Sequence, residues 1–216
     1  MKQTLTIEVP TSWKDITLDT YLKMQGELEN YRDNEEAQIA IMLLHLCKIQ
    51  PEYLRGLSAE SYNLLKAKLS QFVSPDGIEL ERFITIDGIE YGFEPNLSKM
   101  AYGAYADITQ WDTISIDKNW AKIMSILYRP VTQKKGERYQ IETYTGNINE
   151  TIWLNTDMQF NWGTLFFFHH TQLDLLSDIQ KYLKETELPL NIKLTLEKSG
   201  EVMQRLLNLQ TVTLKK

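Results

Sequence analysis

Adjacent imidazoles at His169 and His170 are the first place to look for chemistry, because histidine serves both as metal ligand and as general base near neutral pH. On a helix, adjacent residues point about 100° apart, whereas shared ligation needs a spacing of three or four. The remaining histidine, His45, sits in the apolar run Ile39–Cys47, and no Cys-x-x-Cys or His-Glu-x-x-His pattern accompanies it. The pair therefore reads as one core-facing and one exposed histidine, and no metal is expected. Cys47, the single cysteine, lies in the same apolar run, where burial raises a thiol's pKa and keeps it inert.

Other nucleophile and phosphate signatures are missing from the sequence. There is no Gly-x-Ser-x-Gly elbow and no glycine-rich phosphate loop; at Lys134-Lys135-Gly136 the lysines precede the glycine, the reverse of the order such a loop needs. Carboxylate pairs such as Glu79/Glu81 and Asp174/Asp178 can be drawn as acid and base, but a solvated loop or helix face is the ordinary reading of such spacing. No catalytic residue and no cofactor are expected.

Aromatic residues offer a stronger lead. They make up 11% of the chain, and tyrosine and tryptophan are favoured where proteins bury interfaces. Most lie on apolar stripes that a core would absorb. Phe166-Phe167-Phe168 is different, since three consecutive rings sweep about 200° of a helix and one core face cannot hide them all. Either this helix is buried on both sides or its outer face meets another protein. Phe166, Phe167, Phe168 and His170 are the candidate partner-binding residues.

The elements that must position these residues can be read from local signals. Thr4–Val9 alternates with period two before Pro10, predicting a short N-terminal strand. Thr17 is a cap for a helix from Leu18, with Tyr21, Leu22, Met24 and Leu28 on its apolar side, and residues 27–36 form a charged connection. From Glu35 to Ile49 nearly every position past Ala37 is apolar, predicting a central helix. Pro51 suits the first turn of a short segment, and Ser58 caps a helix to about Val73 with Tyr62, Leu65, Leu69 and Phe72 in register. Asp87-Gly88 between Phe83–Ile86 and Ile89–Phe93 predicts a two-residue hairpin.

Ser98 is read as the cap of a helix through Ile108 carrying Met100, Tyr102 and Tyr105. Asp117 caps a helix with Trp120, Ile123, Met124, Leu127 and Tyr128 on one face, halted by Pro130. Residues 134–137 form a polar loop, and Tyr139–Tyr144 a short extended segment. A long helix is predicted over residues 157–184, with Trp162, Leu165, Phe166, His169, Leu173, Leu176 and Ile179 near one stripe. A last helix near Glu201–Leu209 precedes an alternating tail. The fold class expected is α+β, predominantly α-helical, as a single domain over 1–216 whose subregions 1–75 and 95–216 are joined by the 83–93 hairpin.

Composition narrows the setting. The chain has 216 residues, 43% of them hydrophobic and 24% charged, which is ordinary globular usage. A formal net charge of −6 with no basic cluster argues against nucleic acid or anionic membrane as partner. No apolar run approaches the roughly 20 residues that span a bilayer. Met1 to Pro10 has no continuous apolar core, so no secretory leader is expected, and the lone cysteine fits a reducing compartment.

Three segments together resemble a known family. They are Pro10–Leu18 with the helix pair that follows at 35–73, Asp117–Pro130, and Trp162–Phe168. The chain resembles tailed-bacteriophage proteins of the tail assembly chaperone type and, more loosely, baseplate-hub assembly proteins of contractile-tailed phages. The resemblance implies a non-enzymatic protein that holds another tail component, such as the tape-measure protein, soluble in the host cytoplasm until assembly. A permanent structural subunit of the virion tail or connector is the alternative within that class, and an enzyme with an unrecognised site the alternative outside it.

Overall fold

The computed structural model describes residues 7–70, 75, 77–111 and 115–185, with the side chains of the last helix described as far as Thr171. Helices α1 (Leu18–Leu28), α2 (Glu35–Cys47), α3 (Pro51–Leu54) and α4 (Ala59–Leu69) come first. Strands β1 (Phe83–Ile86) and β2 (Ile89–Phe93) follow, then α5 (Tyr102–Ile108), α6 (Trp120–Leu127), β3 (Tyr128–Lys135), β4 (Arg138–Ile141) and α7 (Met158–Glu185). The fold is α+β and mainly helical, with one antiparallel sheet in the order β1-β2-β3-β4. Two compact units are present, Met1–Phe166 and Phe167–Lys216, so the hairpin lies inside the first of them.

Helix starts follow their capping chemistry. Thr17 Oγ1 accepts from the Thr20 N–H at 3.3 Å, Asn34 Oδ1 from the Ala37 N–H at 3.0 Å, and Ser58 Oγ from the Ser61 N–H at 3.1 Å. Pro51 occupies the first turn of α3, where its missing N–H costs nothing. Lys48 closes α2 in the left-handed conformation, at φ 58°. Residues 29–36 are all exposed, as their charge requires.

One hydrophobic cluster forms where α2 meets α4, from Ile39, Leu43, Cys47, Ile49, Leu65 and Leu69. Ile7 and Val9 pack against it from the N-terminal segment. The predicted N-terminal strand is not formed over residues 7–9, which are irregular, and residues 4–6 lie outside the described part. Side-chain burial against helices, without a ladder partner, satisfies the alternation that suggested a strand. Phe72, Leu173, Leu176, Ile179, the predicted helix at Glu201–Leu209 and the tail also lie outside the described side chains.

A second centre is built on aromatic rings. Trp120, Tyr128, Trp153 and Phe160 are all essentially inaccessible, with Ile123, Met124, Ile126 and Leu127 around them. Trp120 Nε1 donates to Asn161 Oδ1 at 2.9 Å, and Asn161 Nδ2 donates to Thr156 Oγ1 at 2.9 Å and to the Asp157 carbonyl at 2.7 Å. Every polar group of Asn161 is thus matched inside the core, tying α6 to the start of α7. A bridge between Thr17 and Asp157 joins the starts of α1 and α7, with the Leu18 N–H donating to the Thr156 carbonyl and the Met158 N–H to that of Ile16.

The hairpin forms as its turn residues dictate, with Asp87 at φ 52° and Gly88 at φ 79°. Helix α6 ends at Leu127, before Pro130 as expected, but Pro130 then lies in a strand, β3, paired on both sides, which the sequence reading did not anticipate. Proline removes a ladder donor and is normally confined to edges. Arg129 supplies the replacement. The Glu142 N–H donates to the Pro130 carbonyl at 2.9 Å, while the Glu142 carbonyl, which a non-proline residue 130 would have met, accepts from Arg129 Nε at 2.8 Å.

The β3–β4 ribbon curls back over β2 and needs a glycine there. A Cβ on Gly92 would lie 2.9 Å from the Tyr139 ring and 3.0 Å from Val131. Tyr139 crosses this gap to donate to the Phe93 carbonyl at 2.6 Å.

Candidate protein-binding surface

Helix α7 carries the predicted partner-binding residues. Its first turns are fixed by three devices: Asp157 Oδ1 accepts from the Phe160 N–H at 2.9 Å, Asn161 is held in the core, and Gly163 lies against the chain at Glu79. A Cβ on Gly163 would sit 2.3 Å from the Glu79 carbonyl oxygen, so no other residue permits this approach. Trp162 packs edge-on against Trp13 and Tyr21, with ring centroids at 5.7 and 5.5 Å. Phe166 stacks on Trp162 at 5.8 Å and an interplanar angle of 17°.

The aromatic run spans the end of the first unit. Phe166 belongs to that unit, and Phe167 opens the second. Phe166, Phe167 and Phe168 are all half-buried, and His170 is exposed. Within the second unit, Phe167 and Phe168 meet at 6.0 Å in a T-shaped pair, and Thr171 Oγ1 donates to the Phe167 carbonyl at 2.8 Å. Neither full burial nor full exposure holds for these rings. Each keeps part of its apolar area in contact with water.

A second aromatic feature was missed by the sequence reading. Met100, Tyr102 and Tyr105 were expected on a helix capped by Ser98 and running through Ile108, but a short 3-10 turn covers Leu97–Lys99 and α5 begins only at Tyr102. Tyr102 is 84% exposed and Tyr105 58%, while Ala104 and Ile108 face inward. The signal available was the i, i+4 spacing of Ala104 and Ile108, since small residues mark the side of a short helix that approaches its neighbours closely. Beside it, Tyr144 Oη donates to Asp107 Oδ2, and burial together with this bond pushes the Tyr144 phenol up to about 12.

The other candidates for chemistry fall into structural roles. Glu79 and Glu81 are exposed, and the Asp174 and Asp178 side chains lie outside the described residues. His45 Nε2 lies 3.1 Å from Glu27 Oε1, but the pair is not aligned as a hydrogen bond. Among the described residues, no group of three or more His, Cys, Asp or Glu side chains is placed to hold a metal ion. Burial pushes the Cys47 thiol up, which disfavours the thiolate. Cys47 borders an open cavity of about 580 Å³ with Ile7, Glu8, Leu46, Lys48, Ile49 and Tyr53.

The one buried ion pair is likewise architectural among the described residues. Arg129 donates from Nη2 to Glu94 Oε2, from Nη1 to the Ile126 carbonyl at 2.7 Å and from Nε to the Glu142 carbonyl, so each of its three nitrogens is engaged. Among the described residues, no helix is long and apolar enough to cross a membrane. Comparison with family models, with curated proteins and with solved structures finds no match to the chain.

Proposed function

We propose that this chain is a non-enzymatic phage tail or baseplate assembly protein, which holds another virion protein through Phe166, Phe167, Phe168 and His170. The observation that carries the reading is the partial exposure of three consecutive phenylalanines, Phe166 at the end of the first unit and Phe167 and Phe168 at the start of the second. Partly exposed aromatic side chains are among the residues that contribute most to protein interfaces, because they add large contact area for little side-chain entropy. The sequence resemblance supplies the class of partner, a tail component such as the tape-measure protein.

Capture of the tagged chain from infected cells, with mass spectrometry of what copurifies and of purified particles, tests the reading. An assembly chaperone brings down a tail protein and is missing from finished virions. Fixed copy number in virions makes the chain a permanent subunit instead. Recovery of no virion protein, together with absence from particles, refutes the assembly role.

A further inference from the structure

The geometry points to a second interaction surface, the outer edge of β1, as a docking site for an extended, basic-flanked strand of a partner protein. It does not depend on the phage assignment. In the hairpin, the Phe93 N–H donates to the Arg82 carbonyl at 2.8 Å, and Ile86 stands opposite Ile89 and Ile84 opposite Tyr91. In an antiparallel pair, the backbone groups of successive residues point alternately toward and away from the partner strand. Arg82, Ile84 and Ile86 therefore bond inward to β2. The N–H and C=O groups of Phe83 and Thr85 point outward, where among the described residues no strand follows β1.

Natural sheets protect such edges with lysine, proline or a bulge. The opposite edge of this sheet has such devices: Arg138 lies on β4, and the β3–β4 register shifts between Val131 and Gln133, while Lys134 of β3 lies over the Phe83 ring, 3.6 Å from its centroid. Strand β1, reading Phe-Ile-Thr-Ile, carries no lysine, proline or bulge of its own. Thr85 and the neighbouring Ile89 are exposed. An edge left open in this way is the template used in strand addition, in which main-chain bonds supply affinity and side chains supply selection.

Charge selects the occupant. Glu79, Glu81 and Asp87 are exposed around the edge and outnumber the one exposed cation beside them among the described residues, Arg82, while Glu90 is already paired with Lys134 at 2.6 Å. A second copy is disfavoured by register. Two-fold pairing that uses both outward residues sets Phe83 opposite Thr85 of the other copy, which places Glu81 opposite Asp87 at both ends. Like charges directly opposite destabilise a strand pair. A strand with basic residues flanking a short alternating segment meets both requirements.

The test is amide hydrogen exchange of the full chain, read residue by residue by NMR, during titration with a synthetic peptide of alternating valine and threonine flanked by lysines. Saturable binding is expected, with new protection at the Phe83 and Thr85 amides and none added at Ile84. Thr85→Pro removes an outward donor where the hairpin needs none, and should weaken the peptide about tenfold while Ile84 stays protected. Should Thr85→Pro open the hairpin, Asp87→Asn keeps a residue that tolerates the turn; it should weaken the lysine-flanked peptide several-fold and leave an uncharged one unaffected. Equal binding of a glutamate-flanked peptide, or absence of protection at Phe83 and Thr85, overturns the proposal. So does a concentration-dependent dimer that protects these amides without peptide, which would assign the edge to a second copy.

Discussion

Replacing Arg129 with methionine should be among the most damaging single changes in the first unit, and its cost can be apportioned. The guanidinium is mostly buried and serves the Glu94 carboxylate, the Ile126 carbonyl and the Glu142 carbonyl. Methionine fills similar volume but leaves a buried carboxylate without its cation, a loss of about 3–5 kcal/mol where one partner of a buried pair is removed. That is a large part of the roughly 5–15 kcal/mol by which a domain is stable. The double variant Arg129→Met/Glu94→Leu removes the stranded charge and should recover part of the loss, leaving about 1–3 kcal/mol for each carbonyl that remains without a donor. Pro130→Val in the Arg129→Met background restores an N–H opposite the Glu142 carbonyl and should return about 1 kcal/mol, whereas the same change in the native chain should not stabilise. Urea unfolding followed by tryptophan fluorescence measures all four variants. A cost below about 1 kcal/mol for Arg129→Met, or no rescue by Pro130→Val, would refute the claim that Arg129 substitutes for the missing ladder donor.

Three further outcomes follow from the packing. Gly163→Ala drives a methyl group into the Glu79 carbonyl and should cost about 1–3 kcal/mol in the same unfolding assay, as overpacking does. Trp120→Ala empties a fully buried site and strands Asn161 Oδ1; a loss of about 3–5 kcal/mol is expected by denaturant unfolding. Burial pushes the Tyr21 phenol from its ordinary value up to about 12, so its neutral form favours the folded state. Its contribution is complete below the ordinary tyrosine pKa and is lost as pH rises through about 12. Tyr21→Phe should accordingly move the midpoint of alkaline unfolding to higher pH, as read by circular dichroism.

Features set by adjacent residues were legible in the sequence, and those set by distant partners were not. Asp87-Gly88 specifies its hairpin because both positive φ angles arise within the turn itself. Thr17 and Ser58 cap their helices through residues three positions on. Strand β3 was hidden because Pro130 argues locally against a central strand, and the compensating bond runs from Arg129 to Glu142 across the ribbon. The facing of α5 was not read from the sequence, because tyrosine serves on either side of a helix and the inward side is marked only by Ala104 and Ile108. In the candidate surface, the Phe166–Phe168 run was legible from ring crowding alone, since no helix covers 200° of aromatic surface with one neighbour. The anchoring of α7 by Asn161 and Gly163 was not, because both act on residues far along the chain.

The central claim is that the α7 rings hold a virion protein. Its most direct test is parallel capture from infected cells with the native chain and with Phe168→Ser, after unfolding experiments have shown that both baits fold cooperatively. The account expects the native bait to recover a tail component and the variant to lose most of it. Equal recovery by both baits, or loss of cooperative folding in Phe168→Ser, would contradict the claim that this ring is a contact with a partner and assign it to the protein's own packing.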